Sequence, residues 1–343
     1  MKNIVKVVLI NMCIFFSIIG FIVLSPIIIY KGYKSLKDLI IQEKTNDSFY
    51  KEYKKVKQKY HDFVTYKDEE FQGKIINIDK NGNRFTHVSK NFIDNDSKYI
   101  FFGGSIIWGY GESDEKTIPS IYSQKNRVYT ENFAVSGYTS RQSLAKLINY
   151  YVKNPISTKK RIIIFTDGAL DYYMNCRDDD MTLKTGYSEK IVNMLNTKNP
   201  LSFEILSSPS LAFFKELKNR LENKEEISLR KVCSKEKIKF ITTSILRVWS
   251  IANQLAKAHG DEFIAVLPPS ILDKEDNTED YKKEYKELRK NIKNYTDINF
   301  IDLSKIFTDN KNAYLDSMHY SFEGKKIYVK ELTKEIKKLE KNK

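Results

Sequence analysis

The chain has 343 residues, with 58 lysines and arginines against 44 aspartates and glutamates, and a net charge of +14. That length suits one large domain or two modest ones. The basic residues are spread along the whole sequence instead of being gathered on one element between aromatics, which argues against nucleic acid as a partner and for a solvated, lysine-rich surface compatible with nearby anionic lipid.

The first element is apolar. From Val7 to Tyr30 the sequence VVLINMCIFFSIIGFIVLSPIIIY carries no charge. It is about as long as a helix that crosses a bilayer, and Pro26 near its end is tolerated in such a helix. A cleaved signal peptide has a shorter apolar region and a small-residue cleavage site. Residues 1–34 are therefore predicted to form an uncleaved, single-pass transmembrane helix. Lys2 and Lys6 precede the run and Lys31, Lys34 and Lys37 follow it, so flanking charge does not orient it. Residues 35–62 are polar and rich in Lys, Glu and Tyr, and read as a helical stalk. Ile75, Ile76 and Ile78, then Asn81-Gly82, then Phe85 and Val88 predict a small hairpin on the edge of the main domain. Stalk and hairpin together occupy residues 35–96.

From residue 97 the pattern changes. Five short apolar runs, KYIFFGG, RVYTENFAV, RIIIFTDG, EFIAVLPP and NFIDL, are separated by helix-like stretches. Leu144, Leu147 and Ile148 mark a helix over 139–152, and Ile245, Leu246, Val248, Ile251, Ala252 and Leu255 mark another over 241–258. Alternating strands and helices predict an α/β domain over 97–343, a parallel sheet covered by helices on both faces. Ligands of such sheets bind beyond the carboxyl ends of the strands. Residues 172–238 interrupt the alternation and read as an inserted cap. Cys176 and Cys233 are able to form a disulfide if the domain is exported. No cysteine or histidine spacing suggests zinc.

The motif FFGGS places Ser105 directly after a predicted strand. Gly103 and Gly104 let the backbone turn sharply there, which lifts the serine hydroxyl above the sheet, where a nucleophile is needed. A helix-capping serine is the alternative. A phosphate loop lacks its Gly-Lys-Ser/Thr ending. Of the four histidines, His61 falls in the stalk, His87 in the hairpin and His259 at a helix end. His319 lies in YLDSMHYSF, three residues after Asp316, and residues so spaced share a face of a helical turn. Asp316 can orient one ring nitrogen and leave the other for Ser105, the logic of a serine–histidine–acid triad.

These segments, in order, resemble the SGNH (GDSL-like) hydrolase superfamily from residue 98 to about 340: FFGGS, NFAVSGYTS, FTDGALD and DSMH. The resemblance implies a three-layer α/β/α sandwich, flavodoxin-like, with a five-stranded parallel sheet. It implies Ser105, Asp316 and His319 as the triad, the Gly137 backbone N–H as an oxyanion donor, and no metal or organic cofactor. Two positions depart from the family pattern. Gly104 replaces the middle aspartate of Gly-Asp-Ser. Leu170 stands where the third block carries an asparagine whose side chain holds the oxyanion. Losing one such donor costs about 10²–10³ in turnover. Either Asn175 substitutes, or the backbone donors suffice, or activity is lost. Asp167 and Asp171 read as residues that hold this loop.

Two functions follow from the sequence. One is a membrane-anchored serine esterase or acyltransferase whose substrate, by the resemblance, is an acylated, typically acetylated, cell-surface carbohydrate, with the domain outside the cytoplasm. The other is an impaired module that keeps the pocket and binds a glycan or a membrane partner, for which Leu170 speaks. The lysines of the last helix form a third candidate, a lipid or assembly surface.

Overall fold

A computed structural model describes residues 47–89, 97–155, 157–176, 180–185, 233–270, 279–308, 310–316 and 318–341. All of them fall within one compact unit formed by Lys44–Tyr187 and Arg230–Lys343.

The centre is a five-stranded parallel sheet: β5 (Ser97–Gly103), β6 (Tyr129–Asn132), β7 (Lys160–Thr166), β8 (Glu262–Leu267) and β9 (Asn299–Asp302), in the order β6-β5-β7-β8-β9. Five strands were expected from the five apolar runs, and their continuity has a physical cause. Each central strand is covered on both faces, so alternate residues enter two cores. Ile100 and Phe102 of β5, Ile163 and Phe165 of β7, and Phe263 and Ala265 of β8 face one core. Phe101, Ile164 and Val266 face the other. The first core is covered by α4 (Ser140–Lys153), α5 (Ala169–Asn175), α6 (Lys235–Ala258) and α7 (Glu279–Ile292). The second is covered by α1 (Asp47–Tyr53), α2 (Ser105–Trp108), α3 (Ile118–Asn126) and α8 (Phe322–Lys341).

The segment before the sheet differs from the expected stalk. Phe49 of α1 is fully buried and packs edge-on to Trp108 and Tyr110. The Glu52 carboxylate accepts the backbone N–H groups of Lys74, Ile75 and Ile76. Residues 58–61 are not helical: β1 (Gln58–His61) pairs antiparallel with β2 (Thr65–Asp68). The lysine-rich composition that suggested a solvated stalk describes only the outer faces of these elements. β3 (Phe71–Gln72) pairs with β4 (Asn77–Ile78). The Asn81-Gly82 turn exists, closed by Asp79 and Asn83, but its returning arm makes only single bridges, Arg84 to Ile78 and Arg84 to Asn132 of β6. Arg84 turns inward, so Phe85 points to solvent, 56% exposed.

The expected cap is reduced at both ends. Tyr172 and Cys176 belong to the core, and α6 begins at Lys235. A disulfide joins Cys176 to Cys233. Residues 177–179 and 186–232, the bulk of the expected cap, lie outside the described residues, as does the expected membrane anchor, 1–34. Among the described residues no helix is long and apolar enough to cross a membrane.

Candidate active site

The strand order reverses direction at β5, whose neighbours are β6 on one side and β7 on the other. Ser105 follows β5 directly, at this switch point, where open α/β sheets bind ligands. Gly103 makes the turn possible. Its φ is +151°, and a Cβ there would lie 2.7 Å from the Thr166 carbonyl oxygen on β7. At Gly104 a Cβ would meet the Tyr138 carbonyl oxygen at 3.1 Å and Leu170 Cδ2 at 3.4 Å. A Cβ there would be tight against the Tyr138 carbonyl and in ordinary contact with the leucine, so a side chain at 104 asks the Tyr138 backbone to give by a few tenths of an ångström.

The loop before α8 carries the other two residues. It folds back on itself, with the Leu315 N–H donated to the His319 carbonyl and Tyr314 bridged to Tyr320. Tyr320 is fully buried and donates its hydroxyl to the Pro269 carbonyl. So tethered, His319 Nε2 lies 2.8 Å from Ser105 Oγ, and His319 Nδ1 lies 2.7 Å from Asp316 Oδ2. Asp316 Oδ1 also accepts the backbone N–H groups of Met318 and His319. Burial pushes the Asp316 carboxyl up, but the imidazole and these N–H groups outweigh it and hold the pKa below its ordinary value. The Tyr110 ring stacks on the imidazole at 4.1 Å between centroids. The Tyr110 carbonyl accepts Lys325 Nζ at 2.8 Å.

Gly137 sits in the loop after β6 with φ +86°, and a Cβ there would lie 2.6 Å from Tyr66 Oη, so glycine is required. Its neighbour Tyr138 lines the same cavity as Ser105. Asn175 is not brought to the site. It closes α5, where its amide donates to the Asp171 carbonyl and its oxygen accepts the Lys184 N–H. Both ends of the side chain are thus committed, and the expectation that it replaces the missing donor fails. Leu170 itself lines the cavity. The other histidines lie elsewhere: His259 stacks on Tyr151, and His61 bonds the Asp62 carbonyl.

Asp171 accepts the Ser140 hydroxyl at 2.6 Å together with the N–H groups of Ser140 and Gly168. Asp167 accepts the Ser143 hydroxyl at 3.1 Å. Both therefore hold the loop after β7 against α4, as their reading from sequence supposed.

Sequence reasoning missed the clamp behind Ser105. Arg84, fully enclosed, donates to the carbonyls of Trp108, Gly109 and Glu112 and pairs with Asp114 at 2.8 Å. Trp108 Nε1 in turn donates to Asp68. These bonds fix the loop leaving α2. The sole sequence signal was an arginine beside the Asn-Gly turn, which does not distinguish a buried clamp from a solvated charge.

The cavity at Ser105 has a volume of about 30 Å³ and is walled by Ile106, Tyr138, Leu170, Pro269 and Met318 among others. That is room for two or three waters. No protein-family model matches the chain, and no curated protein does. Among solved structures it is similar to a lipolytic protein of the G-D-S-L family from Veillonella parvula, with 14% identity and a TM-score of 0.43 over 69% of this chain and 97% of that one. A GDSL-like lipase from Bacteroides thetaiotaomicron has 13% identity and a TM-score of 0.40 over 73% and 93%. An acetyl xylan esterase has 11% identity and a TM-score of 0.39 over 69% and 98%. Likenesses this distant say nothing of the reaction.

Proposed function

We propose that this chain is a serine hydrolase that cleaves short-chain acyl esters. One observation carries the reading: a hydroxyl, an imidazole and a carboxylate form a continuous hydrogen-bonded chain, Ser105–His319–Asp316, at the mouth of a small cavity. Ser105 Oγ attacks the acyl carbonyl while His319 Nε2 takes its proton. Asp316 steadies the imidazolium that results. On this reading the N–H groups of Ser105 and Gly137 hold the developing oxyanion, the role that the resemblance read from the sequence gives them. As the tetrahedral species collapses, the ester C–O bond breaks and the leaving alcohol takes the proton from His319. Water, deprotonated by the same imidazole, then attacks the acyl-enzyme, the acid departs, and the Ser105 hydroxyl is restored.

Apolar walls such as Leu170 and Met318 suit the methyl of a short acyl group. An acetylated carbohydrate outside the cell is the substrate class that fits this pocket together with the uncharged run Val7–Tyr30, taken as an anchor, and the Cys176–Cys233 disulfide, which persists in oxidising compartments. Where a sugar hydroxyl replaces water, the same acyl-enzyme supports transfer. Leu170 favours a second reading, a binding module without turnover, because it donates no hydrogen bond where a side-chain donor is expected.

A fluorophosphonate probe separates the two. On the hydrolase reading the wild-type chain labels covalently and Ser105→Ala does not. A wild-type chain that neither labels nor hydrolyses acetyl esters is a binding module. Protease protection on intact cells tests the expected topology: the domain is cut from outside if it is exported.

A further inference from the structure

Few side chains around the cavity have a donor to offer the acyl oxygen; Ser270, which lines it, carries one hydroxyl. Ile106, Leu170, Pro268, Pro269 and Met318 have none to give. Thr166 exchanges its hydroxyl with Tyr328, and Tyr138 donates its hydroxyl to the Tyr66 carbonyl. Asp167 lines the same cavity and is only 4% exposed. Its Oδ1 is taken by Ser143, and its Oδ2 is buried with no hydrogen-bond partner among the described residues. A buried carboxylate oxygen left so would be costly, and a buried polar atom without a partner calls for an explanation.

The neighbouring carboxyl settles where charge resides. Asp171 receives three donors, the Ser140 hydroxyl and the N–H groups of Ser140 and Gly168, all of which favour its ionised form. Asp167 receives one. Two adjacent buried carboxyls cannot both ionise cheaply, and the one with fewer donors keeps the proton. Burial and the Asp171 charge push the Asp167 carboxyl well above its ordinary range, against the single Ser143 bond. Burial pushes Asp171 up as well, but less far, against its several donors. The groups that act on Asp167 come from each element around it: Asp171 on α5, the Ser143 hydroxyl on α4 and the Tyr328 phenol on α8. Ser105, bonded to His319, stands on the same cavity.

We propose that Asp167 is a neutral carboxylic acid in the working protein and that its Oδ2–H donates a hydrogen bond to the acyl oxygen in the Ser105 cavity, as a third oxyanion donor. The proton stays on Asp167 throughout and no bond to it breaks. The acid thus supplies the side-chain donor that Leu170 does not. This inference rests on the hydrolase reading for its function but not for its protonation state.

Two measurements on the full-length chain separate those parts. Infrared difference spectra between wild type and Asp167→Asn show the carbonyl stretch of a protonated carboxyl at neutral pH, whether or not the protein turns over. Its absence overturns the proposal even for an active enzyme. Kinetics on a p-nitrophenyl acetate series follow, with fluorophosphonate labelling to confirm an assembled triad. Asp167→Ala lowers kcat by about 10²–10³ with little change in KM, the effect of losing one oxyanion donor. Asp167→Asn, which keeps a neutral donor, returns to within about tenfold of wild type and lacks the wild-type loss of kcat at alkaline pH, where the acid ionises. An Asp167→Ala kcat close to wild type, or an Asp167→Asn variant as slow as Asp167→Ala, overturns the proposal. A wild-type chain that shows the infrared band but fails to label leaves a protonated acid in a protein without turnover. That result sinks the hydrolase reading and, with it, the donor role, while upholding the assignment of the proton.

Discussion

Lys325 offers a test of how the triad is supported from behind. It lies in the first turn of α8, is fully buried, and gives its ammonium to the carbonyl of Tyr110, whose ring stacks on His319. Burial chiefly, with the charges of Arg84 and Lys116, pushes its pKa from 10.5 down to about 7, against the attraction of Glu112 and Asp316. At about 1.4 kcal/mol per pH unit, that displacement corresponds to about 5 kcal/mol. The sign follows from proton counting. Below about 7 the lysine is protonated in both states, so the full cost of burying its charge is present. Between about 7 and 10.5 the unfolded chain holds the proton and the folded chain has released it, so stability rises with pH. Lys325→Met keeps the apolar stem and removes the amine. Its stability, measured by denaturant unfolding across this window, lacks that rise. The gap between variant and wild type therefore shifts by about 5 kcal/mol from one end to the other. Lys146, likewise buried and pushed down to about 8, leaves a shallower rise in both proteins. Buried tyrosines, whose raised pKa values oppose stability above about 10, close the window on the alkaline side. Parallel wild-type and variant curves would refute the burial argument, because they would mean that Lys325 titrates as a solvated amine.

Other substitutions probe the remaining supports. Gly137→Ala forces a Cβ against Tyr66 Oη at a positive φ; the left-handed backbone costs about 1–2 kcal/mol, seen in the unfolding midpoint, and kcat drops by about tenfold or more as the N–H turns away. A lowered midpoint with wild-type kcat assigns Gly137 to packing alone. Arg84→Met leaves Asp114 buried without its cation and frees three carbonyls, a loss of about 3–5 kcal/mol in denaturant unfolding. Reducing Cys176–Cys233, which closes a span of 57 residues, lowers stability by about 2–4 kcal/mol against the oxidised protein. Leu170→Asn, made in Asp167→Ala, recovers about tenfold or more of the lost kcat by restoring a side-chain donor near Ser105. No recovery would mean that position 170 does not reach the acyl oxygen.

The sheet was readable because both of its faces are covered. Runs such as RIIIF and EFIAVL carry no alternation, and that itself marks a strand buried on two sides. The residues before it were not readable in the same way. In α1, Phe49 is buried two residues before exposed Lys51, with exposed Lys54 just past the helix end, and composition averaged over the segment reports the lysines. A short helix that docks by one aromatic and one carboxylate leaves no periodic signal. The hairpin illustrates the opposite error: Asn81-Gly82 gave the turn correctly, but the side chain that matters after it is Arg84, not the apolar Phe85.

Ser105, Asp316 and His319 stand together in the structure because each follows from a local rule: a glycine turn at a strand end, and an i, i+3 pair in a closed loop. Asn175 failed because residue type was weighed without the position along α5 at which its amide is spent on Asp171 and Lys184. Asp167 was read as a loop anchor for the converse reason. Its anchoring bond to Ser143 accounts for one oxygen, and only a full tally of donors reveals the other. Sequence shows where acids lie and not which of two neighbours holds the proton. That depends on how many N–H and O–H groups the fold directs at each, and here the fold directs three at Asp171 and one at Asp167. A leucine at 170 and an acid at 167 are then read together: the leucine brings no donor to the Ser105 cavity, and the acid on the same cavity is buried beside the charge of Asp171, which keeps it neutral.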